Sequence, residues 1–268
     1  MEYSNSSFPK HGWIECSRCL PEAKQQLFLG HGNPAPWKIE KPNGSWGTDH
    51  PLIVVLGFSR GSNQKSTLPY DEIAFAGMRP QLTKILQKLQ LLDKSDFVDN
   101  RINANETVFH FGSLFRCSVS MWDKKKGNYS KSGGGILEKF VKAEENDLIA
   151  KNCINQHFQN IPKRTKLVVM LGNSDQYIER CYSLFCREHP DIRRINEVAY
   201  GNQHTIWVHT IHAKAQGSYL PQWLEGRETA IGKKLKPAIE AVKQSGVIDH
   251  LTCIRQQQQD LPGTVQRL

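Results

Sequence analysis

The chain has 268 residues, of which 38% are hydrophobic and 23% charged, so its length and composition fit one large globular domain or two small ones. No apolar run approaches the roughly 20 residues that span a bilayer, and Met1–Lys10 lacks the apolar core of a secretory signal. We therefore expect neither a membrane-spanning nor a secreted protein, but a cytoplasmic one with reduced cysteines. The formal net charge of +9 favours a polyanionic partner, of which nucleic acid is the usual one.

Strand and helix patterns alternate along the chain. Four segments are short, apolar and β-branched and run into a Gly or a turn, which is typical of buried parallel strands: Pro51–Gly57, the weaker Glu106–Cys117, Lys166–Gly172 and His204–His212. Between and after them, helical patterns occupy Met78–Leu92, Ile136–Ile161, 174–189 and 226–246. The alternation predicts an α/β fold of three layers, with a central, mostly parallel four-stranded sheet flanked by helices.

Three segments do not follow this alternation. Residues Trp37–His50 are rich in Pro, Gly and Trp and predict a loop. Residues Ser118–Gly135 carry four lysines and a triple glycine, which indicates a mobile basic insertion. We expect a single domain over residues 1–252, followed by a C-terminal tail over 253–268.

In open α/β sheets, ligands bind beyond the carboxyl ends of the strands. Two of the segments that follow the predicted strands, Gly57–Gly61 and His212–Ser218, are turns of small residues that offer backbone N–H groups to an anion. Each of them alone is more often a plain strand-to-helix turn than a binding site.

Cys16 and Cys19 form a C-x-x-C motif near the start of the chain. Such a pair is a redox dithiol, half of a metal site, or neither. A redox pair normally opens a helix after a strand, and no strand precedes Cys16, so this reading is disfavoured.

Eight segments between residues 14 and 225 follow one another in a distinctive order: Cys16-x-x-Cys19-Leu20, GHGNPAP, VVLGFSRG, AFAGMRPQLTKILQKL, LFRC, NCINQHF, VVMLG and WVHTIH. This order resembles that of the uracil-DNA glycosylase superfamily, and above all its iron–sulfur branch, often called family 4. No single motif is decisive, but the joint order is fairly specific. The resemblance implies the fold of that superfamily and a DNA partner, either a duplex with a flipped base or a single strand.

In that branch four cysteines hold a 4Fe–4S cluster, and the resemblance assigns this role to Cys16, Cys19, Cys117 and Cys153. Four thiolates suit an iron–sulfur cube. The same ligands would also suit zinc, and Cys117 and Cys153 also read as small buried apolar residues. Three other cysteines match nothing in the family and are expected to be structural: Cys181, Cys186 and Cys253.

Removing a base from DNA requires that the base leave the stack for a pocket, where an aromatic ring holds its face. The resemblance assigns this ring to Phe75, with Gly57 and Phe58 beside it, although a core phenylalanine fits the sequence equally well. Negative charge then grows on the leaving base, and the resemblance implies His212 as the donor that meets it.

The catalytic motif departs from the family at its polar group. Where relatives carry Asp, Asn or Glu, this chain has Ser59, which orients water but does not stabilise a cation by charge. The nearest carboxylates are Asp71 and Glu72, and we expect Asp71 to have taken over the role; both also read as solvated loop charges.

The base-reading and DNA-binding positions differ as well. The Asn that usually reads uracil is replaced by Ser113, which leaves room and removes the bidentate reader. Arg60 replaces the proline of the strand-end motif, and Lys214 stands where the chain would bind DNA phosphates. Gln216 and Ser218 are expected to contact DNA beside it.

Together these features predict a monofunctional, monomeric DNA glycosylase of the bacterial cytoplasm. The altered pocket favours a bulky modified pyrimidine, such as glucosylated hydroxymethylcytosine in phage DNA, and hence an antiviral role. Three alternatives stay open: excision repair of uracil or another deaminated base, a catalytically inactive DNA-binding protein whose cluster senses redox state, and a zinc-stabilised nucleic-acid-binding module.

Overall fold

The computed structural model of the protein describes residues 7–20, 24, 26–41, 44–59, 68–130 and 136–259. Its strands are β1 (Gly12–Trp13), β2 (Gln26–Leu29), β3 (Trp37–Glu40), β4 (Gly44–Gly47), β5 (Ile53–Gly57), β6 (Phe109–Ser113), β7 (Ser118–Asp123), β8 (Asn128–Ser130), β9 (Leu167–Leu171), β10 (Arg193–Asn196), β11 (Ala199–Gly201) and β12 (Ile206–Thr210). Its helices are α1 (Tyr70–Ile73), α2 (Arg79–Lys88), α3 (Val98–Arg101), α4 (Ile136–Lys142), α5 (Asp147–Phe158), α6 (Asp175–Glu188), α7 (Tyr219–Glu225), α8 (Leu235–Gln244) and α9 (Val247–Gln259), with 3₁₀ turns at Glu144–Asn146 and Gly232–Lys234.

The main sheet is mixed and has eight strands in the order β1-β4-β6-β5-β9-β12-β11-β10. The four predicted strands lie together at its centre as β6-β5-β9-β12, and all three pairings among them are parallel. The four outer pairings are antiparallel. The prediction of an α/β fold is confirmed, whereas the prediction of a mostly parallel four-stranded sheet is wrong, because antiparallel strands extend the parallel centre at both edges.

Helices cover both faces of this sheet, as predicted. Side chains of the central strands point alternately to the two faces, so every residue of these strands is buried and the strands read as continuous apolar runs. On one face Val55 and Val169 pack with α2, α7, α8 and α9. On the other face Val54 and Val168 pack with α4, α5 and α6.

The segment predicted as a loop, Trp37–His50, contains β3 and β4 instead. Gly47 has a φ of +89°, and a Cβ there would lie 2.2 Å from the carbonyl oxygen of Phe109 on the neighbouring β6. Glycine is therefore required for the close approach of the two backbones. The glycines that suggested a loop belong to β4, an outer strand of the sheet that pairs with β1 on one side and β6 on the other.

The basic insertion is also ordered over the part that is described. β7 and β8 form a hairpin and join β2 and β3 in a second, antiparallel sheet. Trp122 faces Tyr129 across the hairpin with ring centroids 5.2 Å apart, and the Asp123 carboxylate accepts the N–H groups of Lys125 and Lys126 at the turn. Exposed lysines thus follow an ordered strand.

Two predicted helices differ in their limits. The segment 136–161 is divided into α4 and α5 at Ala143, whose extended backbone (φ −74°, ψ 122°) ends the first helix. The segment 226–246 begins as a turn, and its helix α8 starts only at Leu235. Helix α9 extends to Gln259 and so includes the start of the predicted tail. Among the residues described, we find no helix with the length and apolar character needed to cross a membrane.

Candidate functional site

The ends of β5 and β6 bring two predicted pocket residues together. Gly57 and Ser113 are Cα partners at the last position of the two strands, and the N–H of Leu114 donates to the Gly57 carbonyl over 2.8 Å. Ser113 is buried at this edge. It is the edge at which ligands of open α/β sheets bind.

Phe75 lies against this edge. A Cβ on Gly57 would be 3.7 Å from Cε1 of Phe75, and the Phe75 and Phe111 ring centroids are 6.0 Å apart. Phe75 has a φ of +52°, a conformation that residues other than glycine seldom adopt. Such strain persists only where the surroundings hold it, and it is concentrated at functional sites.

Phe58 lies on the other face of the sheet. It packs in the second core, with ring centroids 5.0 Å from Phe115 and 5.9 Å from Phe140. The expectation that Phe58 and Phe75 share one pocket is therefore corrected: β5 separates the two rings.

His212 follows β12 at the same carboxyl edge, and its tautomer is defined by one hydrogen bond. The backbone N–H of Lys214 donates to its Nδ1 over 3.0 Å, so the proton of the neutral ring is on Nε2. Burial, together with the positive charge of Lys214, lowers the pKa of His212. At neutral pH the residue therefore presents an uncharged ring whose Nε2–H is available as a donor.

The residues predicted to bind DNA lie on the exposed loop after His212. Lys214, Gln216 and Ser218 are all exposed, and Gly217 between them has a φ of +59°. Ser218 precedes α7 and accepts a hydrogen bond from Gln222 over 2.7 Å. The next residue, Tyr219, begins α7 and is 51% exposed. It was not predicted, because the exposure of an aromatic side chain is known only from the structure.

Asp71 lies at the start of α1, and its Oδ1 is 2.9 Å from Nε2 of His11. The Gly47 N–H donates to Nδ1 of the same ring, so Nε2 carries the proton and faces the carboxylate. Tyr70, the preceding residue, bonds the carbonyls of Gly12 and Ser45 through its hydroxyl. This end of α1 thus contacts the N-terminal segment.

Within the described residues, no hydrogen bond joins Ser59 to a carboxylate. Ser59 follows the end of β5 and is half-buried, while Asp71 faces His11. Arg60 lies outside the described residues. A catalytic role for Asp71 or Ser59 stays a prediction.

All four predicted cluster ligands line one hollow. Cys16 and Cys19 come from the N-terminal segment, Cys117 from the connection between β6 and β7, and Cys153 from α5. The hollow is narrow, with about 330 Å³ of space free of protein atoms when its open mouth is included. Residues separated by more than 130 positions in the chain thus meet at one place.

The thiols of this hollow influence one another. Burial raises the pKa of Cys117 to about 12, and the neighbouring thiols Cys16 and Cys19 add to this rise. Burial likewise raises the pKa of Cys153 to about 12, while the backbone of Arg116 hydrogen-bonds its sulfur. Without a bound cation these sulfurs are protonated thiols, so metal binding must displace their protons.

Zinc and an iron–sulfur cube make different demands on four thiolates. Within the part of the chain that is described, no three His, Cys, Asp or Glu side chains are arranged to hold a metal ion. Tetrahedral zinc needs four sulfurs about 3.8 Å apart, given Zn–S bonds of about 2.3 Å. An iron–sulfur cube binds one thiolate at each of its irons and spaces the sulfurs more widely.

Three further residues of this hollow were not predicted. Asn152 donates to Sγ of Cys19 over 3.3 Å, and Arg116 and His157 line the hollow beside the thiols. Asn152 directly precedes Cys153 in the sequence, and Arg116 directly precedes Cys117. This adjacency to a predicted ligand is the one sequence feature that points to them. The remaining cysteines lie elsewhere: Cys181 is buried and bonds Tyr177, Cys186 is half-buried, and Cys253 is exposed.

Comparison with known proteins adds no assignment. No protein-family model matches the chain, and no curated protein matches its sequence.

Proposed function

We propose that this protein is a DNA glycosylase that hydrolyses the N-glycosidic bond of a flipped-out base and leaves an abasic site. The observation that carries the proposal is the meeting of Cys16, Cys19, Cys117 and Cys153 in one hollow. The resemblance names these residues from three distant parts of the chain on sequence alone. A chance likeness of motifs gives no reason for the four sulfurs to converge.

The extruded base is held at the carboxyl edge of β5 and β6. The ring of Phe75 lies beside Gly57, and this ring is the surface proposed to hold the face of the base. The strained backbone of Phe75 is consistent with a ring that is held for binding.

Bond cleavage draws on His212. As the bond to C1′ breaks, negative charge develops on the leaving base, and a preorganised donor stabilises it. The Nε2–H of a neutral imidazole is such a donor. The ring does not lose this proton to solvent before the bond breaks. The hydrogen bond from Lys214 to Nδ1 keeps the ring in the required tautomer.

Water attack at C1′ requires a second group. Ser59, next to the end of β5, is suited to orienting the water. Asp71 is the candidate for electrostatic stabilisation of the sugar cation, and its approach to the sugar would require its carboxylate to leave His11.

DNA is held by the loop that follows β12. Lys214 supplies a positive charge for a phosphate, and Gln216 and Ser218 supply polar contacts. The exposed ring of Tyr219 is suited to fill the space that an extruded base leaves in the stack.

The four cysteines would hold a 4Fe–4S cluster, which when bound links the N-terminal segment to the β6–β7 connection and to α5 and supplies no chemistry to the cleavage step. The protein's own residues carry out all the steps above. Zinc in the same thiolates is the alternative occupant.

For the substrate we propose a bulky modified pyrimidine, such as glucosylated hydroxymethylcytosine, and hence a role against phages whose DNA carries it. The short side chain of Ser113, opposite Gly57, is the supporting observation, because it leaves space where an amide reader would stand. Excision of uracil is the alternative within the same chemistry.

A second candidate function is that of a DNA-binding protein without glycosylase activity. It is favoured by one observation: Asp71, the carboxylate expected to replace the usual catalytic group, lies 2.9 Å from Nε2 of His11 rather than free in the pocket. The two functions differ in a single measurable product, the released base.

The test offers the purified protein three DNAs: phage DNA rich in glucosylated hydroxymethylcytosine, uracil-containing duplex and unmodified duplex. Released bases are identified by mass spectrometry, and abasic sites by alkali cleavage. We expect release from the first DNA only. Release from uracil DNA supports the repair alternative, and binding without release supports the inactive one.

His212→Ala provides the internal check. We expect it to lower the rate of base release about 100- to 1,000-fold, the cost of removing one such donor. The matched control is His204→Ala, which removes an exposed histidine before the start of β12. Equal rates for the two variants would remove His212 from the mechanism.

A further inference from the structure

Arg116 is a buried cation whose guanidinium has no hydrogen-bond partner in the described part of the chain. It lies one residue before Cys117 and is 2% exposed. Among the described residues, none accepts a hydrogen bond from its Nε, Nη1 or Nη2. Its guanidinium lies over the ring of Phe158, 5.2 Å from the centroid, and against the backbone of Gly112.

Such an arrangement is costly unless an anion lies nearby. Burial lowers the pKa of Arg116 to about 10, so the group still carries its charge at neutral pH. An unpaired buried charge is strongly destabilising, and each unsatisfied N–H adds its own desolvation cost. A structure that retains this residue therefore needs a compensating negative group.

The carboxylate that is buried in the described part of the chain does not serve this purpose. Glu106 is buried, but its Oε1 accepts the N–H groups of Thr107, Val108 and Phe109, and Oε2 lies 3.6 Å from Arg101. Its charge is already compensated by these four groups. The counter-charge of Arg116 must come from elsewhere.

The hollow of the four cysteines is a candidate source of this counter-charge. Arg116 lines it, and so does His157, whose Nε2 is buried and has no hydrogen-bond partner among the described residues. Two unsatisfied nitrogen-bearing groups thus border the same space as four sulfurs. Four cysteinates bring four negative charges, which a cluster core offsets only in part.

We propose that Arg116 is the internal counter-cation of the cysteine-ligated cluster and sets its reduction potential. The proposal rests on the cluster named in the proposed function, and it makes Arg116 a positioning residue that touches neither DNA nor the reacting atoms. A fixed positive charge favours the more negative, reduced state of the cluster. Its removal shifts the midpoint potential in the negative direction.

The experiment is a redox titration of the full chain, purified without oxygen and followed by electron paramagnetic resonance. Arg116→Met removes the charge, and Arg116→Lys keeps it. The matched control is Arg18→Met, because Arg18 lines the same hollow but is exposed and bound to Gln156 over 2.8 Å. At the wild-type midpoint we expect the ratio of reduced to oxidised cluster to fall at least tenfold in Arg116→Met, about 59 mV for one electron.

Arg116→Lys should keep most of the wild-type midpoint, and Arg18→Met should change the ratio less than threefold. A ratio in Arg116→Met within threefold of the wild type, at equal iron content, would overturn the proposal. Loss of iron from Arg116→Met but not from Arg116→Lys supports it, since the cluster then depends on the charge.

A second measurement, which does not use Arg116→Met, covers the case in which that variant does not fold. Wild-type protein grown with ¹⁵N-labelled arginine should show a nitrogen hyperfine coupling to the reduced cluster in pulsed paramagnetic resonance, and Arg116→Lys should lose it. Absence of the coupling in the wild type contradicts the proposal. A wild type free of iron and acid-labile sulfide overturns the cluster itself, whereas a base-release assay on the same sample decides the glycosylase activity separately.

Discussion

Gly112→Ala tests whether the side chain of Arg116 is fixed in the interior. Gly112 lies on β6, opposite Leu56 of β5, and a Cβ at this position would be 2.1 Å from Nη1 of Arg116 and 3.2 Å from its Cζ. Ordinary contacts of this kind are about 3.5–4.0 Å. The guanidinium must therefore move by more than 1 Å, and because Arg116 is 2% exposed it has no path into water.

The neighbouring strand supplies a matched control. Gly57 is the next position on β5, and a Cβ there would make ordinary van der Waals contacts, 3.7 Å from Cε1 of Phe75 and 3.9 Å from the carbonyl oxygen of Gly112. Both substitutions gain about 0.4–1 kcal/mol from a less flexible unfolded chain. Only Gly112→Ala adds overpacking, which costs about 1–3 kcal/mol. We expect Gly112→Ala to be less stable than Gly57→Ala by about 2 kcal/mol, or about 4–8 °C in Tm at this chain length.

The assay is urea and thermal unfolding of the two variants under identical buffer and metal conditions. A double variant, Gly112→Ala with Arg116→Ala, should recover most of the overpacking cost, because the clashing group is gone. Equal midpoints for Gly112→Ala and Gly57→Ala would mean that the guanidinium moves aside freely. The claim that it is held beside the cysteines would then be wrong.

Three further predictions concern His212, Lys214 and the cysteine ligands. Burial and Lys214 lower the pKa of His212, so its neutral form persists below pH 6.5, near the ordinary pKa of histidine. The rate of base release should therefore stay level from pH 8 to pH 6.5 and fall only in more acidic buffer. A fall near pH 7.5 would contradict this. Lys214→Ala should move that acid limb to higher pH and reduce the slope of log affinity against log salt by about 1, with binding titrations at several salt concentrations as the measurement. Cys153→Ser should lose most of the bound iron by elemental analysis, whereas Cys253→Ser, at an exposed position, should retain it; equal iron in both would exclude Cys153 as a ligand.

The centre of the sheet was predictable because its strands are buried on both faces. Val54 and Val55 belong to different cores, yet both must be apolar, and such a run has few other interpretations. The outer, antiparallel strands carry no comparable pattern. β4 is rich in glycine because its backbone approaches β6, and β10 is polar and half exposed, so neither shows the alternation of a strand.

The candidate site was predictable only in part. The cysteines and His212 were identified by their order in the chain, and the structure brings the four cysteines together. Phe58 directly follows Gly57, the last residue of β5, but packs on the face of the sheet opposite to Phe75. Spacing along the chain did not reveal this. Arg116 and His157 are informative because the guanidinium and Nε2 of these buried side chains have no hydrogen-bond partner among the described residues. A missing partner is a property of packing that no sequence pattern expresses.

The attachment of the N-terminal segment has a consequence for the order in which the chain matures on the ribosome. Phe8 packs against His110 and Phe158, Gly12 bonds Tyr70, and the sulfurs of residues 16 and 19 meet those of residues 117 and 153. At about 5–20 residues per second, the last of these partners is synthesised roughly 7–28 s after the first cysteines. The segment made first is thus among the last to dock, and two thiols stay open to oxidants and stray metals throughout that delay.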